Sequence, residues 1–112
     1  GAELTELRDG LDKGGTLFRT LEVLYGDRDA RKREDALRLL ALVDLQRYAQ
    51  EIALALQDPD SSVRIAAVDV LGQHEDPTVR EAIGALKQDP VPEVRQAVRR
   101  ARLRLVPLVR GA

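Results

Sequence analysis

Apolar residues return along this chain at helical spacing, and the whole arrangement then repeats. Leu17, Leu21 and Leu24 stand at i, i+4 and i+7, as do Tyr48, Ile52 and Ala55, and again Val79, Ile83 and Leu86. That spacing puts each trio on one face of a helix. A shift of 31 residues carries each trio onto the next. The segments between them obey the same shift: Asp58-Pro59 falls on Asp89-Pro90, Val63-Arg64 on Val94-Arg95, and Ala66 on Ala97. One step back, Asp27 falls on Asp58, Arg33 on Arg64, Ala36 on Ala67 and Leu40 on Leu71. No alternating strand pattern competes.

Helix punctuation agrees with this period. Asp60 is placed to cap a helix holding Val63, Ala67, Val70 and Leu71 and stopped by Gly72. Asp76 caps the next, with Pro77 at its first position, where a missing N–H is harmless. Asp44 caps "LQRYAQEIALALQ", Thr16 follows Gly14-Gly15 and caps "LFRTLEVLY", and Pro92 opens the last helix behind Val91, a poor cap. The predicted helices are about 3–13, 17–25, 31–43, 45–57, 61–72, 77–88 and 92–105. They make three helical hairpins and a closing helix. Each hairpin leaves an apolar face that only a stacked neighbour covers. The expected fold is all-α, an alpha-alpha superhelix (α-solenoid), in one domain over 1–112, with a degenerate unit at 1–26, units at 27–57 and 58–88, and a partial, capping unit at 89–112.

Composition fits helical packing: Leu, Val, Ile and Ala supply the core, with one Phe, two Tyr and no Trp. The net charge of −1 gives no global pull towards nucleic acid or membrane. Its distribution is lopsided, however. Glu3, Glu6, Asp9 and Asp12 face one Arg8 in residues 1–12, whereas Arg95, Arg99, Arg100, Arg102, Arg104 and Arg110 share residues 95–112 with no acid. The absence of Cys excludes disulfides, thiolate metal sites and a cysteine nucleophile. No membrane span or signal peptide is visible, which gives a cytoplasmic expectation. A Gly-Ala start without Met reads as an excised piece of a longer protein, and the 15 Arg to 3 Lys read as bacterial in style.

Asp-Pro, a short spacer, Val-Arg, a small residue and then "AVDVLGQ" resembles a HEAT-like repeat, especially the short type of bilin-lyase-like proteins. The resemblance covers 58–105 well and 27–57 less closely; over 1–26 only the second helix keeps register. It implies a solenoid whose second helices line the concave side, and a structural ladder of Asp27, Arg33, Asp58, Arg64, Asp89 and Arg95 linking turns and units. The other reading of those arginines is an anion-binding row. Across such repeats function ranges from scaffolds to bilin lyases and DNA-repair enzymes, so a small-ligand role stands as a third possibility.

Catalytic chemistry finds little support. His74, the one His, lies beside Glu75 and Asp76, but three consecutive residues rarely converge on an ion, and Asp76 is already a cap. Ser61 and Ser62 sit in a helix's first turn with no base offered to them. Gly14-Gly15 is a helix break, not a phosphate loop. The expectation is a non-enzymatic protein-interaction module without metal or cofactor. Its working surface would be the outward face of the second helices: Arg47, Gln50, Glu51 and Leu54, then Thr78, Glu81, Gly84 and Ala85, ending in Lys87 and Gln88. Val94, Val98, Ala101 and Leu105 form a narrow docking stripe on the last helix. Arg102 stands there in the column of Leu40 and Leu71, which suits the lid of a stack. The alternative is that Arg95, Arg99, Arg100, Arg102 and Arg104 form an anion patch for nucleic acid or an anionic surface. Val106, Leu108 and Val109 remain without an obvious partner.

Overall fold

The computed structural model describes residues 15–74 and 76–110, so the predicted helix 3–13 lies outside the described residues. Every regular element among them is helical: α1 (Thr16–Gly26), α2 (Ala30–Ala53), α3 (Ser61–Leu71), α4 (Pro77–Gly84) and α5 (Pro92–Arg110). Short 3-10 turns, Leu54–Gln57 and Ala85–Gln88, close α2 and α4. The architecture is an all-α helical repeat. α2 spans two predicted helices, and Asp44 at its middle departs from helical geometry, with φ −166 and ψ 90. The Asp44 carboxylate accepts the Arg47 N–H at 3.1 Å. Two arms thus meet at an elbow and form a hairpin without a loop.

Aspartates hold the helix starts. Asp29 accepts the Arg31 N–H at 2.9 Å, Asp60 the Ser62 N–H at 2.9 Å, and Asp76 the Thr78 N–H at 2.7 Å. Asp76→Ala is therefore expected to cost about 1 kcal/mol in a urea titration. Gly72 ends α3 as expected, in a right-handed conformation, φ −60, its N–H bonding back to Val68. Two local expectations need correction. Gly15, not Thr16, holds the cap position of α1; its φ of 70 lies in the left-handed region open to a residue without Cβ. Finally, α5 continues past residue 105 to Arg110, with Pro107 inside it.

One apolar core runs from Leu24 to Ala101. α1 packs on α2, α2 on α3, and α3 on α5. Burial shows which way each column faces. Leu37 and Leu40 are buried, as are Val68 and Leu71 one unit later, yet Arg99 and Arg102 in the same columns are exposed. Those columns face the following unit, and α5 has none described. Conversely, Lys32 and Asp35 are exposed while Val63, Ala66, Val94 and Ala97 in their columns are buried. These face the preceding unit. Polar residues replace apolar ones at both described ends of the stack.

Candidate protein-interaction face

The repeated Asp and Arg join successive units. Arg33 donates from Nε and Nη2 to the two carboxylate oxygens of Asp58, at 2.8 and 2.9 Å, and from Nη1 to the Asp27 carbonyl at 2.6 Å. Arg64 does the same one unit on, reaching Asp89 at 3.0 and 3.2 Å and the Asp58 carbonyl at 2.7 Å. Each arginine thus ties its own turn's backbone to the next turn's carboxylate. The side chains of Arg33 and Arg64 are 12% and 13% exposed, and those of Asp58 and Asp89 7% and 5%. Such bidentate pairs, removed from water, brace units far more than surface pairs do. The carboxylates also shape the turns, accepting the N–H two residues on: Asp27 from Asp29, Asp58 from Asp60, and Asp89 from Val91. The bond to Asp58 raises the Arg33 guanidinium above its ordinary value. Burial pushes the Asp89 carboxyl up, but the Val91 N–H and the charges of Arg64 and Arg95 outweigh it and hold it below the usual range.

The face proposed for recognition lies on the second arm of α2 and on α4. Arg47 and Gln50 are exposed, Glu51 is half-buried, and Leu54 is 58% exposed. On α4 and its closing turn, Thr78, Glu81, Ala85, Lys87 and Gln88 are exposed and Gly84 is half-buried. The guanidinium of Arg47 lies 5.2 Å from the Tyr48 ring centroid, within cation–π range. Tyr25, which the sequence reading missed, belongs with this face. Its side chain is 53% exposed. Burial, and then the negative charge of Glu51, raise its phenol above the ordinary value. Glu51 itself has one carboxylate oxygen, Oε2, buried without a hydrogen-bond partner among the described residues. The period gave no consistent signal for Tyr25: its column runs through the buried Leu56 to the exposed Lys87.

The basic helix divides into separate roles. Arg95 donates to the Asp89 carbonyl at 2.6 Å, a ladder contact. Arg100 reaches Asp69 at 3.3 Å on an exposed edge. Arg99 and Arg102 are exposed, and the side chain of Arg104, like those of Val106, Leu108 and Val109, lies outside the described ones. Val94, Val98 and Ala101 are buried against the preceding unit.

The remaining polar candidates have structural positions. His74 is half-buried and its N–H donates to the Leu71 carbonyl at 2.9 Å. Asp76 is engaged as a cap, and Glu75 is outside the described residues. The Ser62 hydroxyl donates to Asp60 at 2.7 Å, and Ser61 begins α3. Among the described residues, no group of three or more His, Cys, Asp or Glu is placed to hold a metal ion. No helix among them is long and apolar enough to cross a membrane.

Comparison with known proteins gives one match. A family model described as HEAT repeats matches residues 19–101, which is most of the chain. No curated protein and no solved structure matches it.

Proposed function

Because the chain belongs to the HEAT-repeat family, we propose that it is a non-enzymatic protein-interaction module that holds a polypeptide segment on the outward face of its second helices. HEAT repeats generally mediate protein–protein interaction, and the family is generally non-enzymatic. The observation that carries the reading is the pairing of exposed apolar side chains, Tyr25 and Leu54, with the half-buried Glu51 between polar neighbours. Apolar anchors ringed by polar groups are the usual make-up of a recognition surface. Arg47, Gln50, Thr78, Glu81 and Lys87 form the polar surround.

The test places a photo-cross-linking amino acid at Leu54 or, as a control, at Leu42, which is 68% exposed on the first arm of α2. In host-cell extract, discrete polypeptide adducts are expected from position 54 and not from 42. They should be lost when Arg47→Glu and Glu81→Lys are introduced together. Equal labelling from both positions would sink this assignment. Salt-steep oligonucleotide binding that Arg99→Ala and Arg102→Ala abolish would move the function to α5 instead.

A further inference from the structure

Arg33 and Arg64 show twice what this fold does with an arginine at the start of a first helix. In each, Nη1 is anchored on the carbonyl six residues back, at 2.6 and 2.7 Å. That leaves Nε and Nη2 as a fork, which takes both oxygens of an aspartate in the next turn. Arg95 is anchored in the same way, on the Asp89 carbonyl at 2.6 Å, and is half-buried. Its fork meets no described carboxylate. Residues 96–112 contain no Asp or Glu, so no acidic side chain further along the chain supplies one.

The surface around that fork selects by charge. Arg99 and Arg102 follow Arg95 at i+4 and i+7, one and two turns along the same side of α5. Both are exposed; the ion pair described on this helix belongs to Arg100, with Asp69. Their columns hold the buried Leu37 and Val68, and Leu40 and Leu71, where a further unit is packed on top. An apolar helix laid on α5 would strand two guanidinium groups away from water and from any counter-charge. An acidic one would pair them. The row from Arg95 to Arg102 is about 10 Å long, the length of two helical turns. α5 carries no aromatic residue on which a base could stack. Both facts suit a short polypeptide segment better than a nucleic-acid strand.

We propose that this end of the stack is a second binding site, which takes an acidic polypeptide segment whose aspartate enters the fork of Arg95. That aspartate repeats the part of Asp58 and Asp89. Each of these accepts the guanidinium and also the N–H two residues on, so that it opens a helix while it pairs. Counting from Asp58, the buried residues that face the preceding unit are Val63 and Ala66. In the bound segment, acids at those two offsets meet Arg99 and Arg102. The site lies on a first helix, apart from the recognition face on the second helices, and stands whether or not that face binds a partner.

The probe is a fluorescent peptide with the sequence of residues 58–72 carrying Val63→Glu and Ala66→Glu, titrated with the full 112-residue chain. At low salt its anisotropy should rise to saturation, and added salt should weaken binding. Arg95→Gln should weaken it at least about tenfold. Arg99→Gln with Arg102→Gln, at exposed positions that leave the core intact, should also weaken it at least about tenfold. In the peptide, Asp58→Asn should match the loss from Arg95→Gln, and the two losses should not multiply, because they remove one contact. Arg47→Glu with Glu81→Lys, on the recognition face, should leave the affinity unchanged. Circular dichroism and a urea titration establish that each variant is folded. No saturable binding, binding that a folded Arg95→Gln chain retains, or losses that multiply would each overturn the proposal. An oligonucleotide that binds more tightly than the peptide, and loses that affinity with Arg95→Gln, would give the site to nucleic acid and overturn it too.

Discussion

Arg64→Ala is expected to lower the unfolding free energy by about 3 kcal/mol, a large share of the total for a domain of this size. The arginine makes three hydrogen bonds that join two turns. Without it, the Asp89 carboxylate keeps the Val91 N–H but has no counter-charge, at a side-chain exposure of 5%. A charge stranded there loses more than the pair is worth as a pair. Arg64→Leu combined with Asp89→Asn should therefore be less damaging than Arg64→Ala alone. Arg38→Ala is the control: its pair with Glu34 is an exposed i,i+4 contact and its removal should change stability by under about 0.5 kcal/mol. Urea titration at neutral pH separates the three. The same rung sets an acid limit. The folded state holds the Asp89 carboxyl below its ordinary value. Its contribution is thus complete above the unfolded value of about 3.9 and is lost as pH falls through the lower folded value. In the wild type, stability should drop below about pH 4, and Arg64→Ala should flatten Asp89's part of that drop.

The second large effect comes from a single column. Leu71→Arg places in the middle of the stack the residue that the end of the stack carries at Arg102. Leu71 is fully buried, and an unpaired guanidinium there has neither water nor a carboxylate. A loss of more than about 4 kcal/mol is expected, enough to abolish a cooperative urea transition. The mirror substitution, Arg102→Leu, falls on an exposed position and should change stability by under about 0.5 kcal/mol. Near-equal effects of the two would mean that α5 is covered as α3 is, and that the burial pattern of the columns misplaces the end of the stack.

The features legible in the sequence were those written in local chemistry. Asp44, Asp60 and Asp76 mark helix starts because a carboxylate accepts an N–H two or three residues on, and Pro92 does so because its fixed φ suits the first helical position and its missing N–H is harmless there. The helical faces were legible because each column repeats with the unit. What the sequence left open depends on how one unit sits on the next. Spacing offered Arg64 either its own turn or a neighbour's. In the structure it bonds to Asp58 through the carbonyl and to Asp89 through the carboxylate, a division set by the stacking offset. The pairing of Arg100 with Asp69 likewise arises only across stacked helices. Tyr25 was hidden for another reason. A shift of 31 carries it onto Leu56, which is buried, so its column does not mark it as exposed. The recognition face was not legible in the sequence because solvated and partner-binding surfaces draw on the same residues.

The ladder lies where one hairpin joins the next, at the start of each first helix, away from the elbow at Asp44 and the turn through Gln73 and His74. Its bonds are short, charged and shielded, whereas the inter-unit pair near the other end, Arg100 with Asp69, is exposed. The stack is therefore joined by shielded ion pairs along one edge and by apolar packing around Leu40, Val43 and Leu71, with an exposed pair, along the other. Apolar contact has no preferred direction, whereas a bidentate pair fixes both distance and angle. The offset of one unit on the next is thus set at the ladder edge, by two aspartate–arginine pairs.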